Sequence, residues 1–137
     1  MKFISTCLVA ATAIAATWPA SAQTYPERPI RIVVPFPAGG GTDSLTRLIA
    51  NAANTKYGWT IVVENKPGAG GNLALETVAK SKPDGYTLVM AQTDNVVLNP
   101  LLYKKLTYDA VNGFEPLGMI AKGAAVLTVK ADSPYKT

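Results

Sequence analysis

A chain of 137 residues with no histidine and a single cysteine, Cys7, lacks much of the equipment of catalysis and metal binding. Disulfides, histidine-based proton transfer and most zinc sites are excluded on composition. Its 13 basic and 9 acidic residues give a formal charge of +4, scattered rather than clustered, which argues against nucleic acid as a partner.

Residues 1–22 read as a cleavable export signal. Lys2 gives the positive start, Phe3 to Trp18 an apolar stretch, and Ala20-Ser21-Ala22 the small-x-small cleavage pattern. The stretch is shorter than the ~20 residues a membrane span needs, and Pro19 interrupts it. Cys7 precedes most of the apolar stretch, whereas a lipid-anchored cysteine should follow it. Cleavage after Ala22 leaves a mature chain that begins at Gln23, without cysteine or histidine, destined for the periplasm.

Tyr25-Pro26-Glu27-Arg28-Pro29 is an extended lead-in, because two prolines remove amide donors and disfavour helix around them. Ile30 to Val34 is a β-branched run suited to a buried strand, ending at Pro35. Phe36, Pro37, Ala38, Gly39, Gly40 and Gly41 then form a rigid segment and a glycine turn, with Thr42 or Asp43 able to cap the next helix. Leu45, Leu48, Ile49, Ala52 and Ala53 mark the apolar face of that helix, which Tyr57-Gly58 ends.

The pattern repeats in kind. Thr60 to Glu64 reads as a second strand, Asn65 to Asn72 as a second glycine loop, and Leu75, Val78 and Ala79 as the face of a second helix. After the turn Lys82-Pro83-Asp84-Gly85, Tyr86 to Ala91 reads as a third strand and Gln92-Thr93-Asp94-Asn95 as the polar loop at its end. Val96 to Tyr103 reads as apolar or turn-rich, the stretch from there through Phe114 as irregular, and Leu117 to Ala121 and Ala124 to Val129 as two further strands. Strand-helix alternation with short connections implies an α/β fold with a parallel-rich sheet flanked by helices.

In such a sheet the ligand crevice lies beyond the carboxyl ends of the strands. Three loops qualify: Phe36 to Asp43, Asn65 to Asn72, and Gln92 to Asn95. Glycines let backbone approach a ligand, and a helix start offers unpaired amides and partial positive charge, so Gly39, Gly40, Gly41, Gly68, Ala69, Gly70 and Gly71 suit an anion. The plainer reading is that they make tight strand-to-helix turns. Asp43 can cap its helix or accept a hydrogen bond from a ligand, and Asn65 and Asn72 suit ordering their loop, Asn72 being placed to touch ligand as well. Lys66 could offset a ligand's charge, although an isolated loop lysine is usually solvated.

Neither glycine loop carries the third glycine of the dinucleotide pattern or the Gly-Lys-Ser/Thr of a phosphate loop. Ser44 has no histidine to activate it, and no run has metal-ligand spacing. The reading is therefore a non-catalytic binding protein without cofactor or metal. The alternative is a secreted α/β enzyme fragment that uses the glycine loops as an oxyanion site.

Four motifs then stand out: Tyr25-Pro26-Glu27-Arg28-Pro29-Ile30, Val34-Pro35-Phe36-Pro37-Ala38-Gly39-Gly40-Gly41-Thr42-Asp43, Val63-Glu64-Asn65-Lys66-Pro67-Gly68-Ala69-Gly70-Gly71-Asn72 and Pro83-Asp84-Gly85-Tyr86-Thr87-Leu88. With Asn99-Pro100-Leu101-Leu102-Tyr103 and Tyr108-Asp109, they resemble the receptors of tripartite tricarboxylate transporters, the Bug receptors. The resemblance implies a periplasmic binding protein of type II-like fold, whose two α/β lobes close around a small carboxylate. It implies a monomer that passes cargo to an inner-membrane permease of a large and a small subunit.

It also implies that the first two glycine loops hold a carboxylate through backbone amides and ordered waters, while the loop after the third strand tunes selectivity. Gln92-Thr93-Asp94-Asn95 replaces the small, Gly/Ser-rich loop more usual there, and glutamate, aspartate, citrate, nicotinate and other carboxylates all stay open. On this resemblance residues 23–120 belong to the first lobe, left incomplete, and 121–137 to the hinge region and the start of a second lobe that is mostly missing. Residues 23–137 alone are then expected to bind ligand weakly or not at all.

Overall fold

The structure is a computed structural model that describes residues 24–124 and 126–135. The export signal and its cleavage site lie outside the described residues.

β1 (Ile30–Val34) is the centre of the fold. Four of its five residues, Ile30, Ile32, Val33 and Val34, are buried, which is what a β-branched run between two covered faces achieves. β2 (Ile61–Asn65) pairs with it in parallel from Ile30 opposite Ile61 to Val34 opposite Asn65. On its other side β3 (Thr87–Val89) pairs in parallel from Arg31 opposite Thr87 to Val33 opposite Val89, giving the order β2-β1-β3.

α1 (Gly41–Tyr57) connects β1 to β2 and packs on both. It ends where Gly58 takes a left-handed conformation, φ 70°, and donates its amide to the Asn54 carbonyl at 2.8 Å. α2 (Asn72–Ala79), entered through a 3-10 turn at Ala69–Gly71, connects β2 to β3 and packs on β1 and β3 through buried Ala74 and Leu75. The chain moves outward from β1 to β2 and then back past β1 to β3. Right-handed crossovers of this kind put the two helices on opposite faces, with a switch point between β1 and β3.

Four expectations need correction. The buried line of α1 is Asp43, Thr46 and Ala50, not the apolar set, and Leu48 is 65% exposed. Local hydrogen bonds decide this: Thr46 donates to the Thr42 carbonyl at 2.6 Å and Asp43 is tied on three sides, so polar residues turn inward. The third strand is shorter than its sequence suggests, three residues rather than six. Gln92 to Asn95 is not a free loop: Thr93 opens a helical segment that runs through a π turn (Asp94–Leu98) into α3 (Asn99–Leu102). Pro100 lies at the second position of α3, where its missing amide leaves one carbonyl of the preceding turn without a helical donor.

The two strands expected at Leu117 to Ala121 and Ala124 to Val129 are absent among the described residues, which have no regular structure there and are exposed. An apolar run becomes a strand only when a neighbour supplies the ladder, and the sheet here has three strands. No helix among the described residues is long and apolar enough to cross a membrane.

Candidate functional site

The crevice lies where the chain leaves the carboxyl ends of β1, β2 and β3. Beyond β1, Pro35 is buried and Phe36 half-buried, while Pro37, Ala38, Gly39, Gly40 and Gly41 are exposed. α1 begins after Gly40, which offers no capping side chain, so neither Thr42 nor Asp43 is the cap. Its first-turn amides therefore face the crevice without a capping side chain, with the positive end of the helix behind them.

Asp43 sits within that first turn, 3% exposed. Its Oδ2 accepts from the Gly39 amide at 2.9 Å and from Arg47 Nε at 3.0 Å, and its Oδ1 from Asn65 Nδ2 at 2.9 Å. Arg47 most of all, then the Gly39 amide and Asn65, hold this carboxyl well below the usual carboxylate range. Asn65 also donates to the Phe36 carbonyl at 3.1 Å and accepts from Arg47 at 3.1 Å. Both oxygens of Asp43 are thus committed to internal donors that tie the first loop to the end of β2.

The second loop is built from four successive positive φ angles: Gly68 139°, Ala69 49°, Gly70 64° and Gly71 90°. Ala69 is the one non-glycine residue with positive φ among the described residues. The Gly71 amide donates to the Gly68 carbonyl at 2.9 Å and the Asn72 amide to the Ala69 carbonyl, so the turn's own bonds leave the Ala69 and Gly70 amides unused. Gly71 is required twice over. Its φ suits glycine alone, and a Cβ there would meet Asn95 Nδ2 and, at 3.0 Å, Pro35 Cβ.

Behind this loop lies a polar cluster. The Gly70 carbonyl accepts from Asn95 Nδ2 at 2.6 Å and Asn99 Nδ2 at 3.1 Å. Asn99 also donates to Asn72 Oδ1 at 2.6 Å. The Tyr108 hydroxyl lies 2.8 Å from both Asn72 Oδ1 and the Asn95 carbonyl and shares its one proton between them. All four side chains are buried, and burial pushes the Tyr108 phenol up, which keeps it a donor at neutral pH.

The third segment closes the triangle. Gln92 donates its side-chain amide to the Thr42 hydroxyl, linking the end of β3 to the start of α1, and its backbone amide bonds Asn95 Oδ1 at 3.3 Å. Thr93 and Asp94 are exposed at the start of the π turn. The sequence candidates therefore gather at one end of the sheet. Of them, Asp43, Asn65 and Asn72 serve as internal ties, while Ala38 to Gly41, Gly68 to Gly70, Thr93 and Asp94 are exposed.

Sequence reasoning gave no role to Arg47, Asn99 and Tyr108, and placed Asn95 only in the loop that tunes selectivity. Asn95 and Asn99 are spaced four apart, a spacing that shares one side of a helix, but that signal needs the helix at 93–102 to be recognised first. Two cavities, of about 340 and 300 Å³, lie at the other end, around residues 24–29 with Tyr57, Trp59 and Tyr86. They are walled by aromatic rings and are remote from the glycine loops.

A sequence model of the tripartite tricarboxylate transporter family receptor matches residues 45–137. The chain belongs to this family. The Bug receptor resemblance holds in its relatives: BugT of Bordetella pertussis is 38% identical over 126 residues, which cover 91% of this chain and 36% of BugT. The periplasmic binding protein BugD has a similar structure, with TM-score 0.62 and 43% identity over 69% of this chain and 31% of BugD.

MatC of Rhodopseudomonas palustris with bound malate gives TM-score 0.67 and 38% identity over 70% of this chain and 33% of MatC. Rpa4515 of the same organism with adipate gives 0.61 and 40% over 64% and 29%. The chain thus spans little more than a third of the curated relatives it matches. These tripartite transporter receptors are solute-binding proteins rather than enzymes, so the enzyme-fragment alternative falls, and the three-stranded parallel sheet is part of a periplasmic binding protein's α/β domain.

Proposed function

We propose that this chain forms one wall of the ligand crevice of a periplasmic solute receptor for a small carboxylate. The observation that carries the reading is the convergence of two turns at the β1/β3 switch point. One is the uncapped start of α1 and the other the positive-φ turn at Gly68 to Gly71, and both offer backbone amides at a helix N-terminus. Amides held in a fixed array bind a carboxylate without a counter-charge, and the one acidic group within them, Asp43, is already neutralised by Arg47.

On this reading Phe36 to Gly41, Asn65 and Gly68 to Asn72 line the carboxylate subsite, directly or through water, and Gln92, Thr93 and Asp94 border the rest of the ligand. Dicarboxylates are the first candidates, because MatC holds malate and Rpa4515 adipate. Residues 1–22 direct export and are cleaved after Ala22, and the loaded receptor hands its cargo to a two-subunit inner-membrane permease. An opposing second lobe closes over the crevice.

The test is a thermal-shift screen of the protein expressed at the full length of its reading frame, against di- and tricarboxylates, aromatic acids and amino acids. A ligand bound only by the folded state at 100 times its Kd stabilises by about 2.7 kcal/mol, a shift of several degrees. If no carboxylate raises the melting temperature, or if the protein converts the one it binds, the reading fails.

A further inference from the structure

The second glycine turn has four positive φ angles in succession, three at glycines that accept them and one at Ala69, where the conformation is unfavourable. Such a run persists only when its surroundings over-determine it. Its own bonds, Gly71 to Gly68 and Asn72 to Ala69, are the ordinary bonds of one tight turn and do not by themselves select its orientation on the sheet.

What selects the orientation comes from residues 95–108. The Gly70–Gly71 peptide is fixed at both ends, its carbonyl by Asn95 and Asn99 and its N–H by Gly68. Asn95 lies against the α-carbon of Gly71, so closely that no side chain fits between them. Asn99 and Tyr108 together saturate Asn72 Oδ1 at the start of α2, and Tyr108 reaches the Asn95 backbone as well. A buried donor set of this density, with no apolar side chain needed for it, is more than is required to pack one short helix. The π turn serves it too, by bringing Asn95 and Asn99 onto the same carbonyl.

We propose that Asn95, Asn99 and Tyr108 are positioning residues for ligand binding, which hold the Gly68 to Gly71 turn in the conformation that presents the Ala69 and Gly70 amides to the crevice. They do not touch the ligand. Their effect on affinity passes through the Gly70 carbonyl and Asn72. The inference rests on the carboxylate-receptor reading.

The experiment compares the full reading-frame protein with Tyr108→Phe, Asn99→Ala and the control Tyr25→Phe, which loses a hydroxyl bond to the Gly85 carbonyl at the far end of the sheet. Malate and adipate are titrated calorimetrically, and the amide resonances of residues 68–72 are followed without ligand. Losing one buried hydrogen bond of the cluster should weaken the Kd about tenfold in Tyr108→Phe. Asn99→Ala, which frees one of the two donors on Gly70, should weaken it at least as much. In both the amide resonances of residues 68–72 should shift, while Tyr25→Phe, whose lost bond is exposed, keeps the wild-type Kd with a smaller loss of melting temperature.

A wild-type protein that binds and two cluster variants with unchanged Kd would overturn the positioning role and leave the receptor reading intact. So would an equal loss of affinity in Tyr25→Phe, since that reports general stability. A wild-type protein that binds neither acid is titrated with the carboxylate that the thermal-shift screen finds, and if the screen finds none the receptor reading fails, and the positioning role with it, before any substitution is made. Should Tyr108→Phe not fold, Asn99→Ala carries the comparison.

Discussion

At the carboxyl end of the sheet the chain is held by buried side-chain amides and one buried carboxylate, whereas at the amino end it is held by rings and by exposed bonds of Tyr25, Tyr86 and Arg28. There Tyr25 meets Trp59 edge-on with centroids 6.1 Å apart and Tyr86 at 5.1 Å, Tyr57 lies 5.1 Å from Trp59, and the Arg28 guanidinium sits 4.0 Å over Tyr86. Aromatic packing is the more tolerant: ring pairs are favourable over a range of centroid distances and tilts, and a cavity of about 300 Å³ lies beside these. The amide end is not tolerant, because each hydrogen bond fixes a distance and an angle. Cavity volume and binding geometry therefore part company in this molecule, and the end built to tighter tolerance is the one assigned to ligand.

The sharpest way to break this contrast is Gly71→Ala. A methyl group there strikes Asn95 and Pro35 in a backbone conformation alanine resists, so we expect a loss of about 3 kcal/mol in denaturant unfolding and no measurable carboxylate binding. Trp59→Ala should cost less, about 2 kcal/mol, since the ring is only part-buried, and should leave the Kd for malate or adipate unchanged. If it weakens binding as strongly as Gly71→Ala, the two ends are not separable.

Acid sharpens the comparison from another side. Asp43 has a folded-state affinity for protons far below that of the unfolded chain, near pH 3.9. Between those values the unfolded state binds more protons, so its contribution is complete above about pH 4 and is lost as pH falls through the folded value. Chemical denaturation from pH 6 to 2 should show stability falling below about pH 4, less steeply in Asp43→Asn. The smallest effect is expected for Arg28→Ala at the aromatic end: its ion pair with Asp84 at 2.8 Å is exposed, and below about 1 kcal/mol should be lost.

How much of this was legible follows the kind of force at work. β1 and β2 were readable as β-branched runs, the extent of α1 from its helical spacing between two glycine-marked ends, and the glycine turns because few other residues accept their φ angles. The inward face of α1 was misread because Asp43 and Thr46 are buried by hydrogen bonds that hydrophobicity does not register. Thr93 to Leu102 was misread as a loop and an irregular run for a related reason. Asn95 and Asn99 look like loop residues until the Gly70 carbonyl stands opposite them, and a carbonyl 25 positions away is invisible to a local pattern. Leu117 to Val129 shows the converse error, in which apolar residues suggested strands that find no place in the sheet.

The π turn at Asp94–Leu98 has a consequence for which changes this chain can absorb. A π turn holds one residue more than the α-helical turn it replaces, so deleting any one residue between 94 and 98 lets the segment relax to an ordinary helix. What lies beyond the deletion keeps its direction, because the residue lost is the extra one, whereas a residue added here finds no such slack and turns Asn99 about 100° away from Gly70. Val97 and Leu98, both exposed, can be exchanged for other side chains with little effect. Asn95, in the same turn, is held by its bond to Gly70, and around it the segment has room to lose a residue and none to gain one.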